Sequence, residues 1–162
     1  MKKYSILIIL FTLLITNIFG QSENIIADHY KTRKFNVAIF PETSFDLISG
    51  KRFTPSRVEI DKAENTLKQK LKKLNSNLTN QSSTPIIHRK LRKYKRQYFG
   101  YYENNSKILL INFFWEKRNQ RDNNEQWLKE RIQVNDGGSY YWEIKYNIDT
   151  DEFFALEING YG

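Results

Sequence analysis

TPSRVEIDKAENTLKQKLKKLN, residues 54–75, is the stretch whose reading decides the fold. Thr54 precedes Pro55, whose fixed φ suits a first helical turn, and Ser56 with Glu59 three positions on offers an alternative start as a capping box. Ile60, Ala63, Leu67, Leu71 and Leu74 then recur at the spacing of one helix face. Asp61, Lys62, Lys68, Lys72 and Lys73 fall on the other side, so the segment reads as one long amphipathic helix, residues 55–75, with a leucine stripe that seeks a core.

Downstream, residues 75–84 are rich in Asn, Ser, Gln and Thr and end at Pro85, the composition of a polar linker. The period then changes to two. Residues 94–103 and 107–115 flank Asn104-Asn105-Ser106, and Asn tolerates the positive φ that a tight hairpin turn demands. Residues 119–124 form another polar break, and residues 127–134 read equally as a short helix or as a strand entry. In the last hairpin, parity pairs Ile148 with Glu152, Tyr146 with Phe154, Ile144 with Leu156 and Trp142 with Ile158, which puts every apolar residue on one face. Upstream, residues 21–52 are a mixed opening segment. Their best strand candidate is residues 35–40, where Phe35, Val37 and Ile39 alternate with Asn36 and Ala38 before Pro41.

These elements predict an α+β domain over residues 53–162, with one long amphipathic helix packed on a four-stranded antiparallel meander sheet. That order resembles the cystatin-like fold. Peptidase inhibition, which the resemblance implies, is weakened because Gln133-Val134-Asn135 begins the Gln-Val-Gly loop motif of those inhibitors without completing it. The stretches YKRQYFGYYENNSKILLINFFW and VNDGGSYYWEIKYNIDTDEFFALEINGYG are similar to those of small exported bacterial proteins of unknown function. That likeness spans about a third of the chain and implies no activity.

A chain of 162 residues, 40% apolar and 15% aromatic, suits a single domain with a packed core. The absence of cysteine excludes disulfides, thiolate metal sites and a cysteine nucleophile. Lys2 and Lys3, the apolar residues 6–15 and the sequence Ile18-Phe19-Gly20-Gln21 have the order of a secretory signal, with cleavage expected after Gly20. The expected division is a signal peptide at residues 1–20, an N-terminal segment at 21–52, and the domain at 53–162. The apolar run is shorter than the ~20 residues a spanning helix needs, so no mature transmembrane helix is expected. The expected location is periplasmic or extracellular. Loss of Lys2 and Lys3 with no acid lowers the net charge from +8 to +6, so the basic character belongs to the domain itself.

The charge is polar along the chain. Residues 65–102 hold ten Lys and Arg and no acid, whereas residues 132–162 hold six acids against Lys145. Arg89, Lys90, Arg92, Lys93, Lys95 and Arg96, interleaved with Tyr94 and Tyr98, therefore nominate a polyanion-binding run. The expected partners are an anionic envelope polymer or lipid headgroups; export separates the chain from most nucleic acid. A solvated basic face is the plainer reading of the same residues.

The hairpin register sets Glu143 opposite Glu157, a spacing that suits paired carboxylates in a small hydrolase. No cleft over them is legible, and no catalytic residue is assigned. Residues 147–151 imitate a calcium loop, but Glu152 stands where Gly is needed and Ile158 where the bidentate Glu belongs. His29 and His88 lack metal-ligand spacing, and Asp136-Gly137-Gly138-Ser139 lacks the Lys-Ser/Thr ending of a phosphate loop. No metal or cofactor is expected. Residues 108–115 are apolar at both parities and so need both faces covered, by residues 21–52, by a ligand, or by a protein partner on the aromatic sheet face. The reading that follows is a non-enzymatic exported domain that binds a macromolecule or envelope surface. A paired-carboxylate hydrolase and a cystatin-like inhibitor or interaction subunit are the alternatives.

Overall fold

The computed structural model describes residues 26–44, 48–115 and 125–161. The expected signal peptide at residues 1–20 lies outside them, as does the polar break at 119–124. Seven strands form one mixed sheet among the described residues: β1 (Asp28–Lys31), β2 (Asn36–Ile39), β3 (Arg52–Phe53), β4 (Lys95–Glu103), β5 (Ser106–Phe114), β6 (Tyr141–Asn147) and β7 (Glu152–Ile158). Their order is β1-β2-β4-β5-β6-β7, with β3 also paired to β4. The α elements are α1 (Arg57–Leu74) and the single turn α2 (Ile87–Lys90).

This corrects the expected fold class. The architecture is not one long helix on a four-stranded antiparallel meander, and the cystatin-like arrangement goes with it. The sheet is larger, and it is mixed because β2 runs parallel to β4. The cause is short strands in residues 28–53. The alternation of residues 35–40 marks β2, whereas β1 and β3, of four and two residues, show no such period and pair only once β2 and β4 supply their edges. β2 occupies the edge of β4 from Lys95 to Tyr98, and β3 continues it at Gly100 and Tyr101. A parallel pair needs a long crossover, and the chain between β2 and β4 supplies it.

Local chemistry explains the individual elements. At the start of α1, Ser56 Oγ accepts from the Glu59 amide while Glu59 Oε2 accepts from the Ser56 amide at 2.8 Å, a closed capping box. Ile60, Leu67 and Leu71 of this helix are at most 1% exposed, each worth about 1.5–3 kcal/mol of burial. The β4–β5 turn uses Asn104 and Asn105, at φ 50° and 64°. Their left-handed backbone matches the strand twist in a two-residue hairpin.

The β6–β7 register departs from parity. Trp142 pairs with Ile158 and Glu143 with Glu157, as the alternation requires, but nearer the turn Tyr146 pairs with Phe153 and Lys145 with Phe154. A bulge absorbs the slip, and Ala155 there takes φ 49°. Phe153 is consequently buried and Phe154 exposed.

Two cores result. On the α1 side, Ile60, Leu67 and Leu71 pack with Tyr94, Tyr98, Phe113, Trp142 and Tyr146. On the other side, Ala27, Ala38, Phe40, Phe99, Leu110 and Phe114 pack with Trp127 and Leu128. The demand of residues 108–115 for cover on both faces is thus met within the chain, partly by Ala27, Ala38, Phe40 and Ile48 and partly by the 3-10 turn Glu125–Leu128.

Candidate functional site

The polar segment after α1 positions the turn at residues 88–93 that forms one wall of a cavity. The Asn75 side-chain amide donates to Gln81 Oε1 at 2.9 Å and lies 3.0 Å from His88 Nδ1. Gln81 Nε2 donates back to Asn75 Oδ1 at 2.6 Å, and Gln81 Oε1 also accepts from the Ile87 amide at 2.9 Å. Buried polar groups are stable only when paired, so this network fixes the chain against the end of α1. Ile87 and Tyr94, at 0% and 1% exposure, anchor the two ends of the basic turn. Arg89, Lys90, Arg92 and Lys93 between them stand exposed.

The turn, α1 and the residues before β2 enclose a cavity of about 570 Å³. Seven exposed cations line it: Lys34 from the N-terminal side, Lys68 and Lys72 one helical turn apart on α1, and Arg89, Lys90, Arg92 and Lys93 opposite. Among the described residues none of the seven is ion-paired. Phe35, Leu71 and Leu91 give the wall its apolar parts.

A buried ion pair lies at the floor. Arg96 Nε is 2.6 Å from Glu64 Oε1, and the two side chains are 1% and 7% exposed. The Arg96 guanidinium also donates to the carbonyls of Tyr94 at 2.7 Å and Leu91 at 3.1 Å, and it lies near the rings of Phe35 and Phe113. The Tyr98 hydroxyl donates to Glu64 Oε1 at 2.9 Å. Burial raises the Glu64 carboxyl above its ordinary range, with Arg96 and the Tyr98 hydroxyl pulling the other way. Burial and the Glu64 charge hold the Tyr98 phenol well above its ordinary value. His88, on the cavity wall, is lowered by partial burial and then by the charges of Arg89 and Lys72. Among the described residues Glu64 is the one acid lining the cavity, and it is matched by Arg96, so the surrounding cations set the field.

The structure divides the six residues nominated from sequence. Arg89, Lys90, Arg92 and Lys93 share the cavity. Lys95 lies on the opposite face of β4, its Nζ 4.8 Å from the ring centre of Trp127. Arg96 belongs to the interior, because alternation turns it toward α1, where Glu64 claims its charge. Sequence reasoning missed Glu64, Lys34, Phe35, Lys68 and Lys72 as parts of one site. Glu64 had a legible signal, since it falls four residues after Ile60 and three before Leu67, within the apolar stripe.

Glu143 and Glu157 are cross-strand neighbours beside a second hollow of about 280 Å³. Arg131 meets Glu143 there, Nη2 to Oε2 at 2.5 Å, and offsets the repulsion. Lys145 lies 4.0 Å from Glu103. Residues 147–151 form a turn in which Asn147 Oδ1 accepts from the amides of Asp149 and Thr150, and Asp151 accepts from the hydroxyls of Thr66 and Tyr146. No helix among the described residues is long and apolar enough to cross a membrane.

Comparison with family models, curated proteins and solved structures finds no match.

Proposed function

We propose that this chain is an exported, non-enzymatic domain that binds an anionic macromolecule or envelope surface. One observation carries the reading: seven exposed cations, none of them ion-paired among the described residues, surround one concavity where the one described acid, Glu64, is matched by Arg96. Holding so many like charges together opposes folding, and a polyanion relieves the repulsion while releasing its own counterions. The volume falls within the ~300–1,000 Å³ common for ligand pockets. Export rests on Lys2, Lys3, the apolar residues 6–15 and the expected cleavage after Gly20, and it puts the domain beside anionic envelope polymers and lipid headgroups.

The test is retention of the mature domain on heparin and on vesicles containing phosphatidylglycerol, at low and moderate salt. Retention should fall steeply with salt, and it should fall at low salt when Arg89, Lys90, Arg92 and Lys93 are all changed to Glu. Equal retention by wild type and variant would remove the proposal.

A further inference from the structure

The proposed function leaves open whether the anion is a polymer along a basic strip or a compact group held in the cavity. We infer that the site takes a phosphate-headed amphiphile, with the head among the cations and an apolar arm against the Phe35 and Leu91 wall. The inference rests on the anion-binding reading and narrows its ligand class.

The geometry disfavours a strip. Of the run from Arg89 to Arg96, Lys95 faces the far side of the sheet and Arg96 is buried, so the cations do not continue along β4. They converge instead from three separate chain segments, with Lys34, Lys68 and Arg92 each on a different one. Convergent cations match charge concentrated on a few atoms, as in a phosphate or diphosphate, and arginine adds paired donors in a fixed plane. A polymer of evenly spaced charges gains little from such enclosure.

The wall accounts for the apolar arm. Leu91 is only partly buried, and Phe35, 8% exposed, borders the same space. The lysine stems beside them add further apolar length while their ammonium groups remain in water. A bare phosphate leaves this surface wet, whereas an acyl or isoprenoid arm covers it and gains the usual burial energy per unit area. The floor cannot substitute for the mouth as an anion receptor, because Glu64 already offsets the charge of Arg96 at 2.6 Å and the Nη donors of Arg96 are directed at the carbonyls of Tyr94 and Leu91.

The experiment is calorimetric titration of the mature domain with four soluble probes: dihexanoyl phosphatidic acid, glycerol 3-phosphate, inorganic pyrophosphate and dihexanoyl phosphatidylcholine. Dihexanoyl phosphatidic acid should bind about tenfold or more tightly than glycerol 3-phosphate, and the zwitterionic lipid should not bind measurably. Leu91→Ser, at a partly exposed position, should lower the affinity for dihexanoyl phosphatidic acid by a larger factor than the affinity for glycerol 3-phosphate, and so remove most of that preference. Lys68→Glu should weaken both phosphate ligands. Circular dichroism checks that each variant is folded. Equal affinity for the phosphatidic acid and glycerol 3-phosphate, or stronger binding of pyrophosphate than of either, would overturn the apolar arm. Retention on heparin without binding of any small phosphate would overturn this inference and leave the anion-binding function standing. Failure of every anion, heparin included, would remove both.

Discussion

Arg96 of β4 and Glu64 of α1 meet at 2.6 Å beneath the cavity, both almost completely buried. Their pairing ties the helix to the sheet from inside the core. Removing one partner leaves a buried charge without its counter-charge, and such losses cost about 3–5 kcal/mol. Arg96→Met should therefore lower the urea midpoint strongly. The double variant Arg96→Met with Glu64→Leu should recover most of the loss, since well-packed apolar replacements of buried ion pairs are often neutral or stabilising. A double variant as unstable as the worse single one would mean that the pair contributes through shape rather than charge.

Ala155 occupies φ 49° at the β7 bulge, and its side chain is exposed. The left-handed region costs a non-glycine residue roughly 1–2 kcal/mol, against roughly 0.5–1 kcal/mol for the added chain freedom of glycine. Ala155→Gly should thus stabilise the domain by about 0.5–1 kcal/mol, seen as a higher thermal midpoint. Ala155→Val should do the opposite, because a β-branched side chain tolerates positive φ poorly.

Gly100 lies under Phe53, so closely that an added Cβ would fall 2.4 Å from the Phe53 carbonyl oxygen and 2.8 Å from its ring. The oxygen is backbone and cannot rotate away. Gly100→Ala should destabilise by about 1–3 kcal/mol and detach β3 from β4. Hydrogen exchange offers a direct check: the Tyr102 amide, which donates to the Lys51 carbonyl at 2.9 Å, should lose protection before the amides of β5.

His88 has an ordinary value of 6.5, lowered here by partial burial and by Arg89 and Lys72. A base with a depressed folded value binds protons more readily when unfolded. Its contribution to stability is therefore present above pH 6.5 and is lost as pH falls through that value and below it. The same protonation adds a positive charge to the cavity. Anion retention at fixed salt should be level above pH 6.5 and rise on acidification below it, and His88→Gln should flatten the rise. A rise already complete above pH 6.5 would show that a different group titrates.

Signals contained within a few consecutive residues were legible. The Ser56–Glu59 box and the Asn104–Asn105 turn depend on neighbouring backbone geometry, and both are where their residue types place them. Parity located Trp142 and Glu143 against their partners but missed the bulge, because it had no means of weighing a strained Ala155 against burial of Phe153. The alternation at 35–40 marked β2 but not its parallel pairing with β4, and β3 escaped altogether, because the pairing energy of both comes from an edge of β4 that is remote in sequence.

The candidate site divides along the same line. The chain on its own determined where basic residues accumulate, which turns close locally and which side of α1 prefers a core, since each follows from residue type and short-range periodicity. Only the tertiary structure decided that Lys34, Lys68 and Arg92 share one cavity, that Lys95 faces away, and that Arg96 is enclosed with Glu64. Charge density is a property of composition, but its convergence depends on a parallel β2–β4 pairing that brings distant segments together, and no local pattern encodes that pairing.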